Sequence, residues 1–416
     1  MKFNIGKTFL LGLGFFGVSV IWSVYNAFVP IFLADRFFMA AGFIGFFMTL
    51  DNIAALFIQP AVGAWSDKLR TRIGRRMPFI LIGAPIGAMA FILLPISQSL
   101  FVFFLAATLL LLSMAIWRTP VVALMPDITP SKYRSQANGI INFMGGIGAI
   151  IAFLGGAALY DMNPNYPFWL GAGLVALSAI LVFVFIKEPK EFTETKKETP
   201  RLTESIRMIL KDEDKSTIRI LVAIFFWFIA YNGIEAFFTL YSKNHLGIPE
   251  SDGARLLGQL SLLFVLFSLP AGYIGAAVGR RKTIMSGILV MALCIALMFF
   301  LPVNILNILI TQLPVLGRIP VIGLILMVTG VGWSMINVNS LPMVVDMTEI
   351  ERVGTYTGLY YLFATMAAIL GPIVYGFIIQ FSGGAYSLLM LISPIFLVLA
   401  LISIAGVTKG EAQQNI

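Results

Sequence analysis

The sequence predicts an all-α integral membrane protein of twelve transmembrane helices, arranged as two parallel-related six-helix halves. Three observations support this fold class. Of the 416 residues, 59% are hydrophobic and 12% are charged, which leaves too little polar surface for a water-soluble protein of this length. Twelve apolar runs are long enough to cross a bilayer. The order of polar residues along these runs repeats once in the chain.

The apolar runs define the predicted helices and domains. A membrane-spanning helix needs about 20 apolar residues. On this basis we place helices at residues 9–34, 40–65, 78–97, 100–126, 136–160, 166–187, 217–242, 255–277, 283–302, 319–345, 353–380 and 385–407. The only long polar stretch falls between the sixth and seventh helices. The chain therefore divides into an N-terminal six-helix bundle (1–187), a cytoplasmic linker (188–216) and a C-terminal six-helix bundle (217–416).

The positions of the Lys and Arg residues predict the orientation. Of the 28, nearly all lie at the termini and in the even-numbered connections. The residues in odd-numbered connections are Arg36, Lys243, Arg255 and Arg318. Because positively charged loops stay in the cytoplasm, both termini are predicted to be cytoplasmic, in a cell (inner or plasma) membrane. The net charge of +8 thus serves orientation, and no compact basic domain remains to bind nucleic acid.

Three features occur in the same order in both halves. These are an aromatic and asparagine group in the first helix, a glycine before two arginines after the second, and an aspartate ending the fourth. The matching sets are Trp22, Tyr25 and Asn26 with Trp227, Tyr231 and Asn232; Gly74, Arg75 and Arg76 with Gly279, Arg280 and Arg281; and Asp127 with Asp346. Matching helices cross the membrane in the same direction. This is typical of alternating-access transporters, whose substrate site lies between the halves.

Three ionisable residues fall well inside predicted helices: Asp51, Arg118 and Glu235. Each costs about 2.5–3.5 kcal/mol there on insertion scales, so each is a candidate functional residue. Asp51 is the first candidate for cation or proton coupling, with Arg118 as its partner. The alternative is that the two form only a structural ion pair. Glu235 either binds substrate, carries the proton or belongs to a gate near the outer end of its helix.

The candidate substrate-binding residues combine amide groups with aromatic rings. Amides both donate and accept hydrogen bonds, which suits sugar hydroxyls, and aromatic faces suit the apolar CH faces of a pyranose ring. The candidates are Trp22, Tyr25, Asn26, Asn52, Gln59, Tyr231, Asn232, Asn337 and Tyr361. Arg118 is a further candidate, because it can bind sugar oxygens directly.

The connection after the second helix resembles a known family signature. Gly63-Ala64-Trp65-Ser66-Asp67-Lys68 followed by Gly74-Arg75-Arg76 is similar to the loop between helices 2 and 3 of the major facilitator superfamily. The longer string from Gln59 to Ile80 resembles the glycoside–pentoside–hexuronide:cation symporters. Within that group it looks most like the plant sucrose carriers and their animal relatives. Where other members have acidic residues, this chain has Ala55, Gln59 and Arg118.

Charged residues at the inner helix ends are candidates for a cytoplasmic gate. A charge cluster at such a place can close in one conformation and open in another. The candidates are Asp67, Arg75, Arg76, Asp127, Arg134, Asp346 and Arg352. The alternative is that the arginines only orient the protein in the membrane.

The predicted function is secondary active transport. The resemblance implies cation-coupled symport of a neutral sugar, such as a di- or oligosaccharide glycoside, with H+ or Na+ as coupling ion. The sequence has no phosphate-binding glycine loop, no catalytic constellation and no metal-ligand cluster, so we expect a monomeric non-enzyme without cofactors. A proton-coupled exporter of drugs or amphipathic metabolites is the alternative. A receptor that lost transport is disfavoured, because buried charges would then be retained without need.

Overall fold

The structure is a computed structural model that describes residues 5–129, 133–188, 214–348 and 352–411. Within these residues, twelve helices are long and apolar enough to cross a membrane, as predicted. In chain order, α1 to α12 are Ile5–Arg36, Ala41–Lys68, Met77–Ile96, Leu100–Met125, Ala137–Met162, Tyr166–Phe185, Ser216–Asn244, Glu250–Val278, Arg280–Phe300, Val321–Val345, Val353–Phe381 and Leu388–Ala405. Most of the predicted linker, residues 189–213, lies outside the described residues.

The second span is broken into two helical segments, Ala41–Phe47 and Leu50–Lys68. Between them, the hydroxyl of buried Thr49 donates a hydrogen bond to the carbonyl oxygen of Phe46 at 2.7 Å. Such a local bond competes with the regular helical ladder. The second segment begins at Leu50, and Asp51 lies in its first turn. The unpaired N–H groups and the dipole of a first turn favour a negative charge.

One compact unit comprises the described residues of Met1–Met39, Leu50–Glu194 and Pro249–Gly258. Within it, α1 packs against α5 and α6, and α3 packs against α4 and α6. Its largest fully buried side chains include Trp117, Phe28 and Phe91. Small residues let the helices approach closely: a Cβ on Gly83 would lie 2.7 Å from Cβ of Trp117.

The other compact unit comprises Ala40–Thr49 and the described residues of Thr195–Ile248 and Gln259–Ile416. Within it, α7 packs against α11 and α12, and α9 packs against α10 and α12. These pairings match those of the first unit, helix for helix, as a duplicated six-helix bundle requires. The short segment Ala41–Phe47 packs on α11 in this unit. The domain boundaries predicted from the sequence stay a prediction.

A β-hairpin, absent from the sequence prediction, connects α9 and α10. After a single helical turn at Val303–Leu306, strand β1 (Leu309–Leu313) pairs antiparallel with β2 (Gly317–Pro320). Gly317 has φ +69°, a conformation that glycine adopts without steric cost. The tenth helix consequently begins at Val321 rather than at the predicted residue 319.

Candidate functional site

The polar cluster of the first unit centres on Asp51. The side-chain amide of Asn52 donates a hydrogen bond to Oδ1 of Asp51 at 2.9 Å. Arg118, on α4, interacts electrostatically with the same carboxylate. All three side chains are partly exposed although they lie within spans. The structure thus brings together the predicted coupling pair, Asp51 and Arg118, in one unit.

Tyr25 brings α1 to this cluster. Its side chain is 1% exposed, and the charge of Asp51 acts on its hydroxyl. Within the described residues, this hydroxyl has no hydrogen-bond partner. The ring of Trp22 packs edge-on against Tyr25, with ring centroids 5.7 Å apart. An unsatisfied buried hydroxyl is costly, so it marks a place where a ligand group or a water molecule would bind favourably.

Asn26 and Gln59 complete the predicted set in this unit. Both side chains are partly exposed. Gln59 follows Asp51 by eight residues along the Leu50–Lys68 segment, so the two lie about 12 Å apart along one helix face. Gln59 is therefore roughly two turns away from the carboxylate that it was predicted to accompany.

The second unit holds an aromatic cluster with one carboxylate. The rings of Tyr231 on α7 and Trp333 on α10 stack with centroids 4.1 Å apart and planes at 8°. Phe228 packs edge-on against Trp333 at 5.4 Å. Glu235 lies one turn beyond Tyr231, and its charge acts on the tyrosine hydroxyl. This unit therefore presents aromatic faces beside a single carboxylate.

The remaining candidates of the second unit differ in their surroundings. Asn232 donates its side-chain amide to the carbonyl oxygen of Phe228 at 2.7 Å, which occupies one of its donors. Asn337 is partly exposed, one turn after Trp333. Tyr361 is 55% exposed and packs edge-on against Tyr360. Sequence reasoning selected Tyr361 and not Trp333, although Trp333 precedes Asn337 by four residues and so shares its helix face.

Four of the predicted gate residues form one ion-pair cluster in the first unit. Arg76 donates Nε to Asp127 at 3.1 Å and Nη2 to Asp67 at 2.5 Å, and it also hydrogen-bonds Ser66. Arg75 donates Nη2 to Asp127 at 2.7 Å. Arg76 is 5% exposed, so its charge depends on these partners. The cluster joins the ends of α2 and α4 to the start of α3.

Asp346 and Arg352 are the other gate candidates whose side chains the structure describes. Asp346 pairs with Arg280 in the second unit, at the place that corresponds to Asp127 with Arg75. Arg352 is exposed at the start of α11. The side chain of Arg134 lies outside the described residues.

Sequence reasoning missed a carboxylate that follows the last helix of each unit. Glu188 accepts hydrogen bonds from the backbone N–H groups of Arg75, Arg76 and Met77 at 2.8–2.9 Å. Glu411 accepts the equivalent bonds from Arg280 at 2.6 Å and Arg281 at 3.2 Å. We call these arrangements the Glu188 cap and the Glu411 cap. A glutamate after the final helix of each half was the sequence signal that could have revealed them.

The capped turns use the same backbone conformation. Gly74 has φ +116° and Gly279 has φ +107°. A Cβ on Gly74 would lie 2.5 Å from the carboxylate carbon of Glu188. Glycine is thus required both for the turn and for the approach of the capping group.

Metal binding was not predicted from the sequence. Among the residues that the structure describes, no group of three or more His, Cys, Asp or Glu side chains is placed to hold a metal ion.

The fold and the sequence signature between Gly63 and Arg76 define a class of protein. The chain matches the profile of the Major Facilitator Superfamily over residues 11–309 and 256–414 and belongs to that family. The family and the fold are those of membrane transporters rather than enzymes. The predicted fold class and the predicted superfamily are confirmed.

The curated relatives are transporters named for several different substrates. The chain is 25% identical to Multidrug resistance protein 1 of Bacillus subtilis (strain 168) over 259 residues, 62% of this chain and 63% of that one. It is 30% identical to Sucrose transport protein SUC3 of Arabidopsis thaliana over 138 residues, 28% of this chain and 23% of that one. The chain thus matches less than two thirds of the length of either relative.

Solved structures share the fold over nearly the whole chain. A mutant of the nucleoside transporter NupG superposes with a TM-score of 0.75 at 16% identity, covering 97% of this chain and 100% of that one. An inward-facing, occupied bacterial homologue of the human lysosomal transporter Spinster gives a TM-score of 0.71 at 14% identity, covering 96% and 95%. At these identities the similarity shows the fold alone.

Proposed function

We propose that the protein is a proton-coupled symporter that imports a neutral sugar, such as a di- or oligosaccharide glycoside, by alternating access. The observation that supports coupling is the partly exposed Asp51, hydrogen-bonded by Asn52 and within electrostatic reach of Arg118. When Asp51 binds a proton, its charge disappears and Arg118 loses a counter-ion. The two protonation states therefore favour different surroundings, which is the requirement for coupling.

The side chains proposed to bind sugar come from both units. Asn26, Asn52 and Gln59 offer donors and acceptors in the first unit. In the second, Glu235 accepts hydroxyl protons, and the Tyr231–Trp333 stack offers an aromatic face to the CH groups of a sugar ring. The relatives that are named sucrose transport proteins support this choice of substrate.

The cellular setting belongs to the same proposal. The distribution of Lys and Arg supports cytoplasmic termini in the cell membrane. Asp67, Arg75, Arg76 and Asp127 form the proposed cytoplasmic gate of the first unit, where their ion pairs must rearrange if the inner helix ends separate. Asp346, with Arg280, takes the same role in the second unit. We expect a monomer to transport.

A second candidate function is proton-coupled export of amphipathic organic cations. The aromatic cluster around Trp333 with Glu235 is chemically suited to a cation, which binds both to ring faces and to a carboxylate. The relatives that are named multidrug and tetracycline resistance proteins support this alternative.

Proteoliposome transport tests the coupling. Labelled glycosides are offered to the reconstituted protein under an imposed proton gradient and then under a Na+ gradient. We expect accumulation driven by protons and abolished by a protonophore. Asp51→Asn should lose accumulation but retain exchange of sugar across the membrane, because asparagine resembles the protonated carboxyl group. Asp35→Asn, at the exposed end of α1, is the matched control and should accumulate normally. Accumulation by Asp51→Asn would refute the coupling role.

Glu235→Gln separates the two substrates. A neutral sugar keeps a hydrogen bond to glutamine, so its transport should fall by roughly tenfold, the difference between a charged and a neutral hydrogen bond. An organic cation loses its counter-charge, so dye efflux should disappear while sugar exchange persists. Dye efflux by the wild type without any sugar uptake would establish the exporter instead.

A further inference from the structure

The β1–β2 hairpin exposes apolar side chains that the transport proposal does not use. Leu309, Ile310 and Leu313 of β1 are 44%, 52% and 43% exposed, and Val315 at the turn is 75% exposed. All five residues of β1 are exposed, so neither face of this strand is covered by the part of the chain that the structure describes. A patch of this kind marks an interaction surface.

The base of the hairpin is firmly fixed within its unit. Gln259, fully buried on α8, donates Nε2 to the carbonyl oxygens of Leu316 at 3.1 Å and Arg318 at 2.8 Å. The N–H of Val321 donates to the carbonyl oxygen of Ile308 at 2.9 Å. The exposed apolar residues are therefore held in place rather than carried by a free loop.

The hairpin is continuous with apolar surface that faces lipid. After the helical turn at Val303–Leu306 it connects α9 to the start of α10, on the membrane face opposite both chain ends. Next to it, Leu297 and Phe300 of α9 are 48% and 74% exposed, and Leu324 of α10 is 42% exposed. Because these helices are spans, their exposed apolar side chains contact the bilayer. The hairpin extends that surface beyond the helix ends.

The backbone and the charge of the hairpin set its depth. A two-stranded sheet leaves outer edges with unpaired N–H and C=O groups, which the hydrocarbon core cannot satisfy. Arg318 is exposed and is the only charged residue between Leu301 and Pro320. A guanidinium with apolar neighbours suits the boundary between headgroups and acyl chains, where it reaches phosphate.

We propose that the β1–β2 hairpin lies in the bilayer interface as a lipid anchor, with Leu309, Ile310, Leu313 and Val315 among the upper acyl chains. The anchor ties the ends of α9 and α10 to the lipid, and through Gln259 it ties α8 to the same level of the membrane. This inference is independent of which substrate the protein moves.

Site-directed fluorescence tests the anchor. The only cysteine, buried Cys294, is first replaced by alanine. Val315→Cys is then labelled with an environment-sensitive fluorophore and reconstituted in phosphatidylcholine vesicles. These vesicles carry nitroxide quenchers on the headgroup, near the top of the acyl chain or near its end. Gln98→Cys, in the polar and exposed connection between α3 and α4 on the same membrane face, is the matched control.

We expect the Val315 label to emit at shorter wavelength than the Gln98 label. The acyl-chain nitroxide near the headgroup should quench it roughly twofold more than the nitroxide near the chain end, as an interfacial depth requires. Equal emission from both labels, with quenching by soluble iodide only, would overturn the anchor. An emission shift of the Val315 label that grows with the protein-to-lipid ratio and is not quenched by the lipid nitroxides would also overturn the anchor. The hairpin would then be covered by a second copy of the chain rather than by lipid.

Discussion

Removing the Glu188 cap should destabilise the first unit more than removing the Glu411 cap destabilises the second. Glu188 satisfies three N–H groups at the start of α3 and is only partly exposed. Glu411 satisfies two N–H groups, one of them at 3.2 Å, and is exposed. The two carboxylates thus form an internal comparison, in which the same substitution is made at corresponding places of one chain.

The magnitude follows from the bonds that are lost. A helix cap replaced by alanine costs about 0.5–2 kcal/mol, and hydrogen bonds to a charged group lie at the upper end of that range. Water replaces part of the loss at a half-exposed site. We therefore expect Glu188→Ala to cost about 2 kcal/mol and Glu411→Ala about 0.5–1 kcal/mol. For a unit of this size, about 2 kcal/mol lowers Tm by about 4–8 °C.

Thermal unfolding of the purified variants in one detergent is the assay, followed by intrinsic fluorescence or by loss of the monodisperse elution peak. Glu188→Gln should fall between wild type and Glu188→Ala, because glutamine keeps one acceptor oxygen but not the charge. A Tm decrease at Glu188→Ala that is no larger than that of Glu411→Ala would refute the reasoning. So would a Glu188→Gln variant less stable than Glu188→Ala.

The other predictions concern packing, charge and pH. Gly45→Val should prevent proper folding, because a Cβ at this position would overlap a backbone carbonyl oxygen of α11. The misfolded protein should aggregate on size-exclusion chromatography. The control Gly173→Ala, at a position where the space is open, should elute normally. Asp127→Asn should cost about 3 kcal/mol in a melting experiment, because two guanidinium groups lose a largely buried counter-ion, and an unchanged Tm would contradict this. Hydrogen bonds from Ser216 and then Lys409 lower the pKa of Asp214 to about 2. Since the pKa of Asp214 is higher in the unfolded chain, its carboxylate stabilises the fold above about pH 4, and this stabilisation is lost as the pH falls towards 2. Ser216→Ala should weaken the dependence of Tm on pH. An identical pH profile of Tm in the variant and the wild type would contradict this role of Ser216.

The twelve spans were predictable because a bilayer imposes one strong requirement, a long apolar run, on every crossing helix. The break in α2 was not, because it falls inside an apolar run where no glycine or proline marks residues 48 and 49. The hairpin was missed for a related reason. Residues 301–320 are mostly apolar and have no strand alternation, so periodicity alone does not distinguish a strand there from the end of a helix.

The part of the candidate site that was predictable consists of ionisable residues, because charge is rare inside membrane spans. Asp51 and Arg118 were selected because ionisable groups inside spans are costly, and they lie in one cluster. Aromatic residues are common in membrane helices, so composition did not separate Trp333 from the others; its stacking on Tyr231 depends on how α7 and α10 pack. The caps at Glu188 and Glu411 join residues more than 100 positions apart, and only the folded bundle reveals such a connection.

The paired caps also show how closely the two halves correspond. A carboxylate after the sixth helix, bonded to the turn before the third, occurs at the corresponding place in each half. A feature shared in this way is most simply inherited from one ancestral six-helix unit. The β1–β2 hairpin is described in one half only, since the connection between α3 and α4 is short and has no strand. The two halves thus differ at this connection although they share the capped turn.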